Sequence, residues 1–331
     1  MCTAVAFRTK NFYFGRTLDY EHTFGEEIVF TPRHFPLPLR HAEPLTEHYG
    51  ILGVARVEQG YPLYFDGFNE KGLAIAGLNF VGNASYGKPC TNKFNIAQFE
   101  LIPWLLAQCD SVESALTLLP KVQITDTAFS DSVPPAQLHW MLSDGKGTIV
   151  LEAVSDGIHI YDNPVGVLTN NPPFPQQLQR LRDFMHLSVN EPKNTFANNL
   201  HLTPYSRGMG AIGLPGDLSS QSRFVRAAFT RCNSVCDDSE QGSVNQFFHI
   251  LGSVNQPRGC CRLGEDSYEL TQYTSCCSAD KGIYYYTTYQ NHQISAVDMH
   301  FEDLDGRTLI TYPMTAQEKI YLHNAKDNRL K

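Results

Sequence analysis

The first chemistry in this sequence sits at its second residue, Cys2, behind a single Met1. Methionine before a small residue is normally trimmed, which would leave Cys2 with a free α-amino group. A thiol has a reference pKa near about 8.5 and an α-amine one of about 7.7–8.0. The neutral amine can therefore take the thiol proton, directly or through a water. One residue then supplies both nucleophile and base, with no separate histidine. By itself a Met-Cys start is common, so the case depends on what the rest of the chain brings to this residue.

Two residues nearby are candidates. Residues 3–9 and 12–18 are short β-prone runs separated by Lys10-Asn11, a hairpin signal. A two-residue loop there pairs Cys2 with Asp19 on one sheet face, their Cβ atoms about 5 Å apart. A carboxylate at that place can hold and orient an ammonium group. Arg16, three residues before Asp19, then falls on the opposite face. It joins the site only if the strand bulges or ends near Thr17.

The elements that must hold these residues are mixed. Residues 51–57 and 73–80 read as buried strands, with 68–72 as the turn between them and the second strand. Residues 94–108 carry Phe94, Ile96, Phe99, Ile102, Leu105 and Leu106 at roughly helical spacing. A second helix is expected over 111–119, opening at Ser111. Strands return at 138–143 and 148–154 around the turn Asp144-Gly145-Lys146-Gly147. Further helices are expected at 176–187, at 218–232 with Asp217 or Ser219 as cap, and at 243–252. Strands close the chain near 270–277, 282–289 and 294–299. Strands group with strands and helices with helices, so the class is α+β with antiparallel sheets. Helices at 94–119 and 218–252 placed over two stacked sheets give a four-layer α/β/β/α sandwich. With no repeat and no low-complexity linker, residues 1–331 are assigned to one domain.

Composition narrows the function classes. The chain has 331 residues, 42% hydrophobic and 18% charged, with a formal net charge of −8. A sizeable packed core is accessible. No basic stripe points to nucleic acid. No window has the length of a membrane span, and no charged-then-apolar leader opens the sequence. A cytoplasmic protein is expected. Nine cysteines, an odd number, with two adjacent pairs and no CxxC, fit reduced thiols better than a disulfide framework. No HExxH or close histidine spacing suggests a metal.

A resemblance then joins these parts. Met1-Cys2-Thr3 and Phe14-Gly15-Arg16-Thr17-Leu18-Asp19 resemble the choloylglycine hydrolase family, which comprises bile salt hydrolases and penicillin V acylases. Similar blocks follow in order at 66–73, 76–80, 138–141, 166–170, 213–217, 222–224, 270–275 and 281–286. The resemblance implies roles. Cys2 is the nucleophile and supplies the base, Arg16 favours its thiolate, and Asp19 binds the free amine. Asn79 and Asn170 serve the oxyanion hole and amine positioning, and Arg223 holds the electrostatics around Cys2. Bile salt hydrolases of the family carry asparagine where this chain has Asn79, whereas penicillin V acylases tend to carry tyrosine. The implied reaction is hydrolysis of the amide of a glycine- or taurine-conjugated bile salt through a thioester, with no metal or organic cofactor. A homotetramer is implied by resemblance only. Apolar and aromatic residues near the site (Leu18, Tyr20, Phe24, Tyr61, Tyr64, Phe65 and Phe129) would wall a steroid, since apolar burial is worth roughly 25 cal/mol per Å². The rivals are another amide or lactone, such as penicillin V or an acyl-homoserine lactone, and a catalytically silent binding protein with the same fold.

Overall fold

The structure, a computed structural model, describes residues 1–324. In chain order the strands are β1 (Cys2–Arg8), β2 (Phe12–Tyr20), β3 (Glu27–Thr31), β4 (Ile51–Glu58), β5 (Tyr61–Asn69), β6 (Ala74–Asn79), β7 (Phe94–Ala97), β8 (Val122–Thr125) and β9 (Leu138–Ser143). There follow β10 (Thr148–Val154), β11 (Gly157–Asp162), β12 (Val167–Leu168), β13 (Arg262–Gly264), β14 (Ser267–Tyr268), β15 (Leu270–Ser278), β16 (Ile283–Thr288), β17 (Asn291–Asp298) and β18 (Ile310–Pro313). The α-helices are α1 (Leu101–Gln108), α2 (Val112–Leu118), α3 (Phe174–Arg180), α4 (Ser220–Asn233) and α5 (Glu240–Gly252).

Two large sheets organise them. One has six strands in the order β12-β1-β2-β15-β16-β17, the other eight in the order β11-β10-β9-β6-β5-β4-β3-β18. Neighbours in both pair antiparallel. Their facing sides share one buried cluster that includes Ala4 and Phe14 of the first sheet and Phe30, Ala76 and Met141 of the second. The same cluster continues to Phe224 of α4 and Phe247 of α5, which cover the outside of the six-stranded sheet. A second cluster packs Leu101, Leu105 and Ala115 of α1 and α2 against Ile75 and Leu142 on the outside of the eight-stranded sheet. The expected α/β/β/α layering is therefore the observed one.

The first hairpin differs from expectation in register. Cys2 pairs with Leu18, Ala4 with Arg16 and Arg8 with Phe12. The turn therefore has three residues, Thr9 to Asn11, and closes with the Thr9 amide donating to the Asn11 carbonyl. A one-residue change in register moves every side chain to the other face. Cys2, Arg16 and Leu18 consequently share a face directed between the sheets, and no bulge is needed to bring Arg16 in. The expected Cys2–Asp19 pair is wrong: residue 1 faces Asp19, and the Asp19 side chain points to the helix layer. Gly15 allows β2 to run this close to β15, since a Cβ there would lie 2.0 Å from the Ser275 carbonyl oxygen.

Other corrections are local. Residues 94–97 form a strand paired in parallel with β8, and the helix begins only at Leu101. Phe94 and Ile96 thus belong to a two-residue period. The helix expected over 176–187 is α3, followed by a 3₁₀ turn over Leu181–Phe184. Strand β5 runs through Pro62 and Gly67, residues that read as breakers in isolation.

Candidate active site

Cys2 lies in a position that the fold brings almost fully out of solvent, 2% exposed. Its Sγ accepts from Arg16 Nη2. The buried Arg16 guanidinium is itself fixed by carbonyls: Nη1 donates to Gly77 at 2.6 Å, and Nε to Thr17 at 3.2 Å. It thus reaches from the six-stranded sheet to the end of β6 in the other. Burial works against its charge, but Cys2, Tyr273, Asp66 and Asp19 outweigh burial and hold its pKa above the ordinary guanidinium value. A fixed cation on a thiol favours the thiolate.

On the other face of β2, Asp19 is completely buried. It accepts from Thr271 Oγ1 at 2.7 Å, Thr17 Oγ1 at 3.2 Å and Gln256 Nε2 at 3.3 Å. Thr271 reaches it because β15 bulges at Gln272, opposite the Leu18–Asp19 step. Arg223 Nη1, projecting from α4, stands 3.8 Å from Asp19 Oδ2. The same nitrogen donates to the Cys2 carbonyl and to Thr3 Oγ1, each at 2.6 Å, while Nη2 donates to Asn170 Oδ1 at 2.7 Å. Burial lowers the pKa of Arg223, with Asp19 and Cys2 opposing. A buried ion pair is tolerable when its hydrogens find other acceptors, and each nitrogen of Arg223 has at least one, Nε donating to the Leu218 carbonyl at 3.0 Å.

Asn170 follows β12, just before a cis Asn171-Pro172 peptide. Its Oδ1 also accepts from the Cys2 backbone nitrogen at 2.8 Å. Its Nδ2 donates to the Asn79 carbonyl at 2.8 Å, so the donor end of Asn170 is already engaged. Asn79 ends β6 and lines the cavity described below. Cys2, Arg16, Asn170 and Arg223 therefore form one hydrogen-bonded cluster. Asp19 joins it through Arg223, and Asn79 through its carbonyl.

The Met1 α-amine donates to the Asp19 carbonyl oxygen and pairs with Glu269. Burial lowers its pKa below the usual 8.0, Cys2 and Asp19 oppose this, and Arg223 and Arg16 add to it. Thr3, Gln256, Glu269 and Thr271, which complete this environment, were not singled out from the sequence. Only Thr3 and Thr271 fell in noted blocks, and no spacing marks any of the four.

A cavity of about 450 Å³ opens onto Cys2 and Arg16. Leu18, Tyr20, Phe24, Tyr64, Phe65 and Phe129 all line it. Phe24 packs between Tyr20 (4.7 Å between ring centroids) and Phe65 (5.6 Å). Tyr61 instead lies behind the wall, 5.8 Å from the Phe129 ring. Ile102, Phe99 and the 133–136 loop also contribute to the wall. The sequence offered Ile102 and Phe99 only as core of a helix. The described residues contain no group of His, Cys, Asp and Glu able to hold a metal, and none of their helices is long and apolar enough to cross a membrane.

Comparison with known proteins gives the same direction. The profile of the linear amide C–N hydrolases, choloylglycine hydrolase family, matches residues 2–312. A bile salt hydrolase/transferase of Lactiplantibacillus plantarum is 51% identical over 324 residues, covering 98% of this chain and 100% of that protein. One of Clostridium perfringens is 41% identical over 317 residues, covering 94% and 96%. A crystal structure of a mutant conjugated bile acid hydrolase from Clostridium perfringens superposes with a TM-score of 0.91 at 39% identity, covering 98% of this chain and all of the other. A penicillin V acylase from Agrobacterium tumefaciens shares the fold at a TM-score of 0.74 and 21% identity, with coverage of 94% and 91%. With its family profile, its full-length relatives and its layered fold in agreement, this chain belongs to the choloylglycine hydrolase family and is a hydrolase of linear amides.

Proposed function

We propose that the protein hydrolyses the amide of glycine- or taurine-conjugated bile salts, with Cys2 as nucleophile after removal of Met1. The observation that carries this reading is the meeting at Cys2 of a fixed guanidinium on Sγ, an acceptor on its backbone nitrogen and an apolar cavity of steroid-like character. Once Met1 leaves, the nitrogen now held by Asn170 becomes the free amine. Burial and two nearby arginines favour its neutral form, which takes the thiol proton.

Sulfur then attacks the carbonyl carbon. The oxygen gains negative charge, which Asn79 at the cavity wall is suited to meet. The C–N bond breaks as the ammonium returns its proton to the departing glycine or taurine. Water, deprotonated by the same amine, cleaves the thioester and frees the acid and the thiol. Asp19 and Arg223 keep the strand end and the amine in place. Leu18, Phe24, Tyr64, Phe65 and Phe129 hold the acyl group.

The test is a steady-state comparison of glycocholate, taurocholate and penicillin V, paired with mass spectrometry of the purified chain. Turnover of the conjugates with Met1 absent is expected. A dominant penicillin V rate overturns the substrate choice, and full activity with Met1 retained overturns the amine as base. A cytoplasmic homo-oligomer is part of the same reading. Exposed Met185, Val189, Phe196, Tyr205 and Ile212 crowd one connection between α3 and α4, which favours self-association through it. Sedimentation showing a monomer would remove that part.

A further inference from the structure

His139 and Glu152 are ionisable, 0% and 1% exposed, and play no part in the chemistry above. They sit on β9 and β10, in the eight-stranded sheet. His139 Nδ1 lies 3.1 Å from Glu152 Oε1, and its Nε2 donates to the Thr169 carbonyl at 2.9 Å. Glu152 Oε1 also accepts from the Phe174 backbone amide at 2.9 Å. The Phe80 ring stacks on the imidazole at 4.3 Å, with the planes 5° apart.

Burying such a pair is costly, and a hydrophobic pair of similar volume is often as stable. Its bonds therefore matter for where they end. Both run to backbone groups of the 169–174 segment, which connects β12 of the other sheet to α3. This segment leaves β12 after Leu168, so its peptide groups lose ladder partners and need others. Gln177 and Ser220 supply some: Gln177 Nε2 donates to the Pro172 carbonyl at 2.7 Å, and Ser220 Oγ accepts from the Asn170 amide at 2.8 Å. His139 and Glu152 supply two more, the Thr169 carbonyl and the Phe174 amide, on either side of Asn170.

We propose that His139 and Glu152 are a positioning pair, spanning the two sheets, that sets where Asn170 holds the nitrogen of Cys2. His139 orients the Thr169 carbonyl, and Glu152 anchors the far end of the segment at Phe174. Phe80, directly after Asn79, clamps the ring from the strand that carries the other asparagine. Asn79 and Asn170 are thereby kept in register with each other. This inference rests on the amine-base reading given above.

The experiment compares His139→Phe, His139→Gln and Glu152→Gln with the unaltered enzyme in pH profiles on glycocholate. Phenylalanine keeps an aromatic ring on Phe80 but removes the donor to Thr169. Glutamine can return a donor near the place of Nε2. His139→Phe is expected to lower kcat about tenfold to a hundredfold, the scale of a small misplacement at a reacting centre, with KM changed less than about threefold. Its acidic limb should move to lower pH, because an ammonium that loses its Asn170 acceptor is a weaker base. His139→Gln should regain most of the rate, and Glu152→Gln should fall between.

A plateau rate within about twofold of the unaltered enzyme in His139→Phe overturns the proposal. So does a lost rate with an unmoved acidic limb and no rescue by glutamine, which would mark a packing role alone. Should His139→Phe fail to fold, an unchanged rate and pH profile in Glu152→Gln decides against it in the same way. Mass spectrometry of the same samples separates the two readings: full activity with Met1 retained sinks the amine-base mechanism itself, whereas an active chain lacking Met1 beside unaffected His139 variants sinks only the positioning pair.

Discussion

The reacting end of the site and the cavity that leads to it are built on different principles. Around Cys2, Arg16, Asp19, Asn170 and Arg223 are almost wholly buried, and they sit on β2, just after β12 or on the first turn of α4. Each hydrogen-bonds to a group that the sheet register fixes: Arg16 to Gly77, Arg223 to Cys2 and Thr3, Asn170 to Asn79. The cavity wall is looser. Phe24 stands on the connection after β2, its ring held between Tyr20 and Phe65, and 133–136 on an irregular loop tied at the Ala136 backbone by Tyr86 and Gln98. The difference separates two tasks. On the proposed reading, groups fixed by sheet register act on the amide, while a wall that includes loop side chains such as Phe24 and Phe129 holds what is attached to it.

This division predicts a graded set of losses. The largest is at Cys2. Cys2→Ser should lower turnover of glycocholate by about a thousandfold or more, with its melting temperature close to that of the unaltered protein. Turnover within tenfold would remove the polar cluster from the mechanism. Arg16→Met keeps length without charge and should cost about a hundredfold, the scale of losing one fixed electrostatic group. Iodoacetamide would report the cause: alkylation of the residual thiol should slow, because the guanidinium that contacts the sulfur is gone. An unchanged alkylation rate would mean that Arg16 does not act on the sulfur.

The pH dependence of the unaltered enzyme comes next in size. The residue 1 amine is held below 8.0 chiefly by burial. After Met1 is removed, the Cys2 amine stays among Arg16, Arg223 and Asn170, so its protonation should also lie below the usual value. The sign follows: the neutral base accumulates as pH rises, so kcat/KM should climb on the acidic side and level off before about pH 8. A midpoint at or above 8 would mean that water, rather than a buried pocket, sets the amine.

The same contrast explains how much the sequence disclosed. The layers were legible because 51–57, 73–80 and 148–154 are apolar runs and α4 carries a cap and an amphipathic pattern. The first hairpin was misread because both faces of β1 and β2 are buried. Alternation then says nothing about which residue faces inward, and a turn longer by one residue inverts the answer. No local pattern marks Arg223, since its partners Cys2, Thr3 and Asn170 lie more than 50 residues away. Only the resemblance, which is a memory of the whole fold, singled it out. Glu269 and Thr271 reach the site through a bulge that no local pattern announces.

The smallest predicted effect is the sharpest test of the division of labour. Phe24 is partly buried, and its ring bridges Tyr20 and Phe65 at the cavity wall. Phe24→Ala removes apolar area from the acyl site without touching a hydrogen bond of the polar cluster. A loss of about 40–60 Å² of contact on the bound substrate, at roughly 25 cal/mol per Å², corresponds to about 1–1.5 kcal/mol, or five- to twelvefold in affinity. KM for glycocholate should rise by about that factor while kcat stays within twofold, because the lost binding is the same in ground state and transition state. Penicillin V, with its smaller acyl group, should lose less. A fall in kcat at constant KM would show instead that the wall helps to aim the carbonyl at Cys2, and loop and strand would then share one task.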